Sequence, residues 1–207
     1  MPALLHAPGV LDVVNFEFIP FGNAYFEVAG CPKASHYVHD TRICWNERCN
    51  GTAASANADI VVALEKNRTD YNPPPADCFA GTLICQHGEP ECAANRLEAC
   101  AISHYGDNVT KYLGFIDCYE GENEPSPSTA ESCARTTGID YTAITTCAMG
   151  EEGLALDAKN ARATADLPGG HTATPWPMLN GQALDSQDNL LQAICAAWTG
   201  PAPAGCN

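Results

Sequence analysis

Twelve cysteines, at positions 31, 44, 49, 78, 85, 92, 100, 118, 133, 147, 195 and 206, are the residues of this chain most able to do chemistry. Cysteine does three things at such density: it exchanges with substrate disulfides, binds a metal as thiolate, or staples the fold. Exchange is favoured where the thiol pKa is lowered, as in a Cys-x-x-Cys pair or at a helix N-terminus. No two of the twelve are spaced that way. This chain by itself is therefore expected not to turn over disulfides. Metal binding has one candidate set, His36, His39, Cys44 and Cys49, which supplies two imidazoles and two thiolates for tetrahedral zinc. Its spacings depart from the short Cys-x-x-Cys knuckle, and an even, high cysteine count points to an oxidising compartment. The expectation is stapling without metal, with most of Cys85 to Cys206 in disulfides.

The densest stretch runs from Cys85 to Cys100 and reads Cys85-Gln86-His87-Gly88-Glu89-Pro90-Glu91-Cys92-Ala93-Ala94-Asn95-Arg96-Leu97-Glu98-Ala99-Cys100. His87-Gly88 reads as a turn. Glu91 and Asn95 fall one helical turn apart, where capping and loop pinning are the expected work. The motif as a whole reads as scaffold.

This stretch resembles the signature of the gamma-interferon-inducible lysosomal thiol reductases: Cys-Gln-His-Gly, two variable residues, Glu-Cys, two variable, Asn, four variable, Cys. Pro20-Phe21-Gly22-Asn23-Ala24, Leu113 to Cys118, Cys133, Gly138-Ile139-Asp140 and Cys147 with Gly150 and Gly153 extend the resemblance. So do His171, Pro175-Trp176 and Asn180-Gly181. It implies an α/β (α+β) chain of thioredoxin-like type, built from residues 1 to 24 and 81 to 207 around a Cys-rich insertion at 25 to 80. It also implies that Pro175 is a cis-proline which, with Trp176, lines a substrate groove. Gly169-Gly170 replace the paired prolines that precede the histidine in this family. The family's Cys-x-x-Cys, with the strand and helix that carry it, has no counterpart here, so the fold is expected to be incomplete and its N-terminal part to lie outside the chain. The activity implied is reduction of protein disulfides in an acidic lumenal compartment, lysosomal or secreted, without a cofactor. A secreted, disulfide-stapled binding protein on the same scaffold is the alternative.

Composition narrows the setting independently. Against 10 basic residues stand 25 acidic ones, a net charge of −15. Phosphate backbones would be repelled, so nucleic acid is excluded as a partner. No apolar run reaches membrane-spanning length, and Met1 to Val10 shows no signal-peptide core. Asn50-Gly51-Thr52, Asn67-Arg68-Thr69 and Asn108-Val109-Thr110 are glycosylation acceptors in a secreted chain.

The elements that must position these residues follow from periodicity. Val14, Phe16 and Phe18 alternate with Asn15 and Glu17, which predicts a strand over 12 to 18. An unfilled strand-wide gap, or the insertion, is expected between it and a strand at Trp176 to Leu179. Ala93, Leu97, Cys100 and Ala101 predict an amphipathic helix stopped by Gly106. Residues 124 to 128 read as a Pro/Ser-rich loop, with helices following near Cys133, Ile144 and Leu154 to Ala165. Asn180-Gly181 predicts a hairpin whose first strand contains Pro177, a lost ladder donor. The last helix carries Leu190, Leu191, Ile194, Cys195 and Trp198, capped by Asp185 or Ser186. In the insertion, Ile60 to Leu64 is a short apolar run and Asn72-Pro73-Pro74-Pro75 a stiff linker.

Overall fold

The computed structural model describes residues 2–50, 76–121, 126–167 and 170–207. It is helix-rich, with two small two-stranded sheets and six disulfides. The helices are α1 (Pro2–Leu5), α2 (His39–Cys49), α3 (Glu89–Tyr105), α4 (Val109–Glu120), α5 (Pro127–Thr137), α6 (Tyr141–Met149), α7 (Glu151–Ala165) and α8 (Leu190–Ala197). The strands are β1 (Tyr25–Phe26), β2 (Leu83–Ile84), β3 (Met178–Leu179) and β4 (Gln182–Ala183). These form a mixed α+β chain. Ile60 to Leu64, Asn67 and Asn72 to Pro75 lie outside the described residues.

Two compact units divide it. The first comprises Met1–Phe18, Cys100–Cys147 and Ala173–Asn207; the second comprises Ile19–Ala99 and Ala148–Thr172.

In the first unit, α4 and α5 pack side by side and Cys118–Cys133 bonds them covalently. Tyr112, Leu113, Phe115, Ile116 and Tyr119 are the buried stripe of α4, spaced so that one face of the helix is apolar. Cys100–Cys147 ties α3 to α6. Ser126 caps α5 by accepting from the Thr129 amide at 3.2 Å, with Pro127 in the first turn. Residues 127 and 128 are therefore helical rather than loop, because proline's fixed φ suits a helix start and a capping serine precedes it. Leu4, Ala7, Val10 and Ile194 make a second small core, with Cys195–Cys206 beside it.

Val14 to Phe18 does not form the predicted strand. Val14 is extended at φ −121° and ψ 144°, but none of the described residues pairs with this segment in a ladder. Alternation supplies a strand's faces, not its partner. Val14 and Phe16 use their apolar face to pack on the Leu4–Ile194 cluster instead. The hairpin forms as read: Met178 pairs with Ala183 and Leu179 with Gln182. Asn180 at φ 49° and Gly181 at φ 78° provide the two left-handed positions of its turn. Pro177 sits just before β3, and its carbonyl accepts from the Leu184 amide at 2.9 Å. No ladder donor is lost there.

The second unit is built on an aromatic core of Phe21, Phe26, Trp45 and Phe79, with Tyr25 buried beside it. Phe21 and Trp45 lie 5.9 Å apart between ring centroids, and Trp45 meets Phe79 edge-on at 6.5 Å. Trp45 Nε1 donates to the Cys78 carbonyl at 2.9 Å, giving its one polar atom a partner inside the core. Cys49–Cys78 is fully buried next to it. β1 and β2 pair antiparallel, Tyr25 with Ile84 and Phe26 with Leu83. That short ladder delivers the chain into the Cys85 motif.

Candidate functional site

Three of the sequence motifs meet at one turn of the second unit, Pro20-Phe21-Gly22-Asn23. The signature loop leaves β2 at Cys85 and is closed by the Cys85–Cys92 disulfide, both sulfurs buried. Gly88 reverses it at φ +87°, a conformation that costs a residue with a side chain. Glu91 then reaches back from the first turn of α3. Its Oε2 accepts from the His87 amide at 2.6 Å and from His87 Nδ1 at 2.8 Å. His87 is well exposed and held by this single carboxylate. That is the geometry of a pinned turn.

The rest of the signature grips the Pro20–Asn23 turn. Asn95, one helical turn beyond Glu91, donates through Nδ2 to the Phe21 carbonyl at 3.5 Å. Asn160 of α7 donates to the Pro20 carbonyl at 3.4 Å. Gln86 Oε1 accepts from Asn23 Nδ2 at 2.8 Å. Next along the signature helix, Arg96 forms an ion pair with the buried carboxylate of Asp157, at 2.6 and 2.7 Å. Burial nevertheless holds the Asp157 carboxyl above the usual carboxylate range, outweighing the Arg96 guanidinium that pulls it down.

Asn23 continues the chain inward. Its Oδ1 lies 3.1 Å from His171 Nε2, and Arg42 Nη2 lies 3.0 Å from His171 Nδ1 and 2.7 Å from Nε2. Arg42 also donates to the His171 carbonyl at 3.3 Å. Both residues are buried, Arg42 at 6 % exposure and His171 at 7 %. Burial first, and the Arg42 cation second, lower the His171 pKa to about 4, while a hydrogen bond with the Gly22 backbone opposes them. Arg42 itself is pulled below its ordinary value by burial. Its Nε has no hydrogen-bond partner among the described residues. Arg42 was not among the sequence candidates. Its spacing carried the signal, since Arg42, Trp45 and Cys49 follow i, i+3, i+7 and so share the buried face of α2.

Cys44 and Cys49 are disulfide-bonded to Cys31 and Cys78, which leaves no thiolate to join His36 and His39 in a zinc set. His36 and His39 are exposed, and the Tyr37 hydroxyl lies 3.5 Å from His39 Nδ1. Every one of the twelve cysteines lies among the described residues, and none is free. Pro175 and Trp176 fall in the first unit, directly before β3, and the Thr174–Pro175 peptide is cis. Cys100 also belongs to the first unit, bonded to Cys147. Asn50 follows the last turn of α2. Asn108 is exposed at the start of α4, where its Oδ1 accepts from the Lys111 amide at 3.0 Å. No helix among the described residues is long and apolar enough to cross a membrane.

Comparison with known proteins gives the same reading of the motif. The family model described as gamma interferon inducible lysosomal thiol reductase (GILT) matches residues 29–137, just over half of the chain. A gamma-interferon-responsive lysosomal thiol protein of Arabidopsis thaliana is 38% identical over 132 residues, 61% of this chain and 54% of that protein. Gamma-interferon-inducible lysosomal thiol reductases of Carassius auratus and Mus musculus are 32% and 31% identical. The matched regions cover 60% and 57% of this chain, and 51% and 47% of those proteins respectively. The chain thus spans about half the length of these curated relatives.

Proposed function

This chain belongs to the gamma interferon inducible lysosomal thiol reductase family, and on that premise we propose that it forms part of a thiol:disulfide oxidoreductase that reduces protein disulfides in an acidic lumenal or secreted setting. The observation that carries the reading is the signature itself. Cys85, Gln86, Glu91, Cys92 and Asn95 act as a scaffold closed on itself by a disulfide and fastened to the Pro20–Asn23 turn. All twelve cysteines are paired in disulfides, and no two of them have Cys-x-x-Cys spacing. The redox pair is proposed to lie in sequence outside these 207 residues.

In the proposed mechanism a thiolate of that pair attacks one sulfur of a substrate disulfide, forming a mixed disulfide and releasing the other substrate sulfur as thiolate. The second cysteine of the pair, as thiolate, then attacks the enzyme sulfur. Substrate leaves reduced, and the pair is left oxidised for a dithiol donor to regenerate. Pro175 and Trp176 are proposed to line the groove in which an extended substrate strand lies, with backbone pairing as the means of recognition. The scaffold residues 1–24 and 81–207 and the Cys-rich segment 25–80 are proposed as its architectural parts. Asn50, Asn67 and Asn108 are proposed to carry glycans. At Asn108 the two roles are compatible, because the helix cap uses Oδ1 and a glycan is attached to Nδ2.

A trapping experiment tests the mechanism. In the full-length protein, replacing the resolving cysteine of the pair by serine is expected to accumulate a mixed disulfide with a disulfide-bonded substrate protein. Mass spectrometry should locate the junction outside residues 1–207. A junction at one of the twelve cysteines of this chain, or none at all, would refute the proposal.

A further inference from the structure

The six disulfides are not equally open to attack by an outside thiol. An incoming thiolate must reach one sulfur and displace the other as thiolate, so access and the stability of the leaving thiolate govern the rate. Cys49–Cys78, Cys85–Cys92 and Cys100–Cys147 are buried at both residues, and Cys118–Cys133 is buried at Cys133. Cys195–Cys206 is half-buried, but both of its residues pack on the apolar Leu4–Ile194 cluster. Beside it the Gly205 amide donates to the Pro8 carbonyl at 2.8 Å. Apolar surroundings disfavour a thiolate there.

Cys31–Cys44 differs on both counts. Its two residues are half-buried. Cys44 stands midway along α2, and Arg48 follows one turn later on the same face. Both side chains meet Gly30. Cys44 Sγ lies 4.0 Å from the Gly30 carbonyl oxygen, and a β-carbon placed on Gly30 would come within 3.0 Å of Arg48 Cζ. No carboxylate among the described residues forms an ion pair with this guanidinium. Of the acidic groups nearby, Asp77 accepts from the Ala29 amide at 2.5 Å, while Asp40 and Glu47 on α2 are exposed to solvent. A cation beside a leaving sulfur stabilises it as thiolate.

We propose that Cys31–Cys44 is the site at which this chain itself undergoes thiol–disulfide exchange, opening to a small dithiol with Cys44 departing as a thiolate beside Arg48. One thiolate of the dithiol attacks Cys31 Sγ, the Cys31–Cys44 bond breaks, and a mixed disulfide with Cys31 forms. The second thiolate of the dithiol then attacks the sulfur of the first. Cys31 leaves as thiolate and takes up a proton, and the dithiol is left as its own disulfide, having delivered two electrons. α2 stays in place, because Cys49–Cys78 and the buried Trp45 still hold it. What opens is the covalent tie between the Ala29–Cys31 turn and the middle of that helix. A disulfide that opens readily is an oxidising one, so the pair accepts electrons and does not pass them to the stable disulfides of a substrate protein. The inference stands apart from the catalytic reading, since it concerns only a bond of this chain and a small reductant.

The test is stepwise reduction of the folded, fully oxidised 207-residue chain by limiting dithiothreitol, with thiols alkylated as they appear and placed by peptide mass spectrometry. Cys31 and Cys44 should be alkylated first, about tenfold faster than Cys195 and Cys206. Cys195–Cys206 serves as the reference within the same molecule. Against it, Arg48→Gln should slow the opening of Cys31–Cys44 about threefold, the effect of one pKa unit on such an exchange, and Arg48→Lys should restore the native rate. Thiols appearing first at any other pair, or an Arg48→Gln rate equal to or above the native one, would overturn the proposal. The order of opening in the native chain decides it even if the variant does not fold.

Discussion

His171 and Asp157 show how two buried ionisable residues of one unit respond to acid with opposite sign. His171 is depressed from its ordinary 6.5 to about 4. Its neutral form is the one folding favours, so its contribution is present above about 6.5 and lost as pH falls through about 4. At about 1.4 kcal/mol per pH unit, that loss amounts to about 3 kcal/mol. Asp157 is raised, so its contribution is fully present below the ordinary carboxylate value and fades as pH rises through its folded value. Chemical denaturation from pH 7 to 4 should therefore show falling stability for the native chain and a flatter profile for His171→Gln. A profile that falls equally steeply in the variant would assign the loss to other groups. The histidine was visible in the sequence through its motif, while Arg42, which acts on it, was visible only through its spacing with Trp45 and Cys49.

At the scale of elements, legibility followed local physics. The signature helix, the Asn180-Gly181 hairpin and the terminal helix carried their own caps, turns and periodicity, and the structure shows α3, β3 with β4, and α8 preceded by a Ser186-capped 3-10 turn. The segment Val14 to Phe18 carried a strand's alternation but depended on a partner elsewhere in the chain, which no local pattern reveals. Disulfide pairing was equally illegible, since twelve cysteines admit very many connectivities. The bonds found differ in loop size and so in expected weight. Cys100–Cys147 spans 47 residues and Cys85–Cys92 only 7. In the chain-entropy account, replacing the first pair by serine should cost about 4 kcal/mol and the second about 2.5 kcal/mol. Denaturant midpoints of the two double variants check the order, and a costlier loss for Cys85–Cys92 would show that the signature loop is held by more than chain entropy.

For the molecule as a whole, the family and the stapled chemistry agree. A chain of net charge −15 with every cysteine oxidised belongs to the gamma interferon inducible lysosomal thiol reductase family and matches about half the length of its relatives. The central claim is that these residues supply scaffold and the nucleophile comes from elsewhere in the protein. The measurement that bears on it most directly is turnover of a disulfide-bonded substrate by the 207-residue chain at pH 5 with a dithiol donor, beside the full-length protein. The chain is expected to show no turnover above the donor alone, and the full-length protein to show turnover that is lost when its Cys-x-x-Cys is changed to serines. Turnover by the 207-residue chain that disappears on a single Cys→Ser change among its own twelve cysteines would contradict the account.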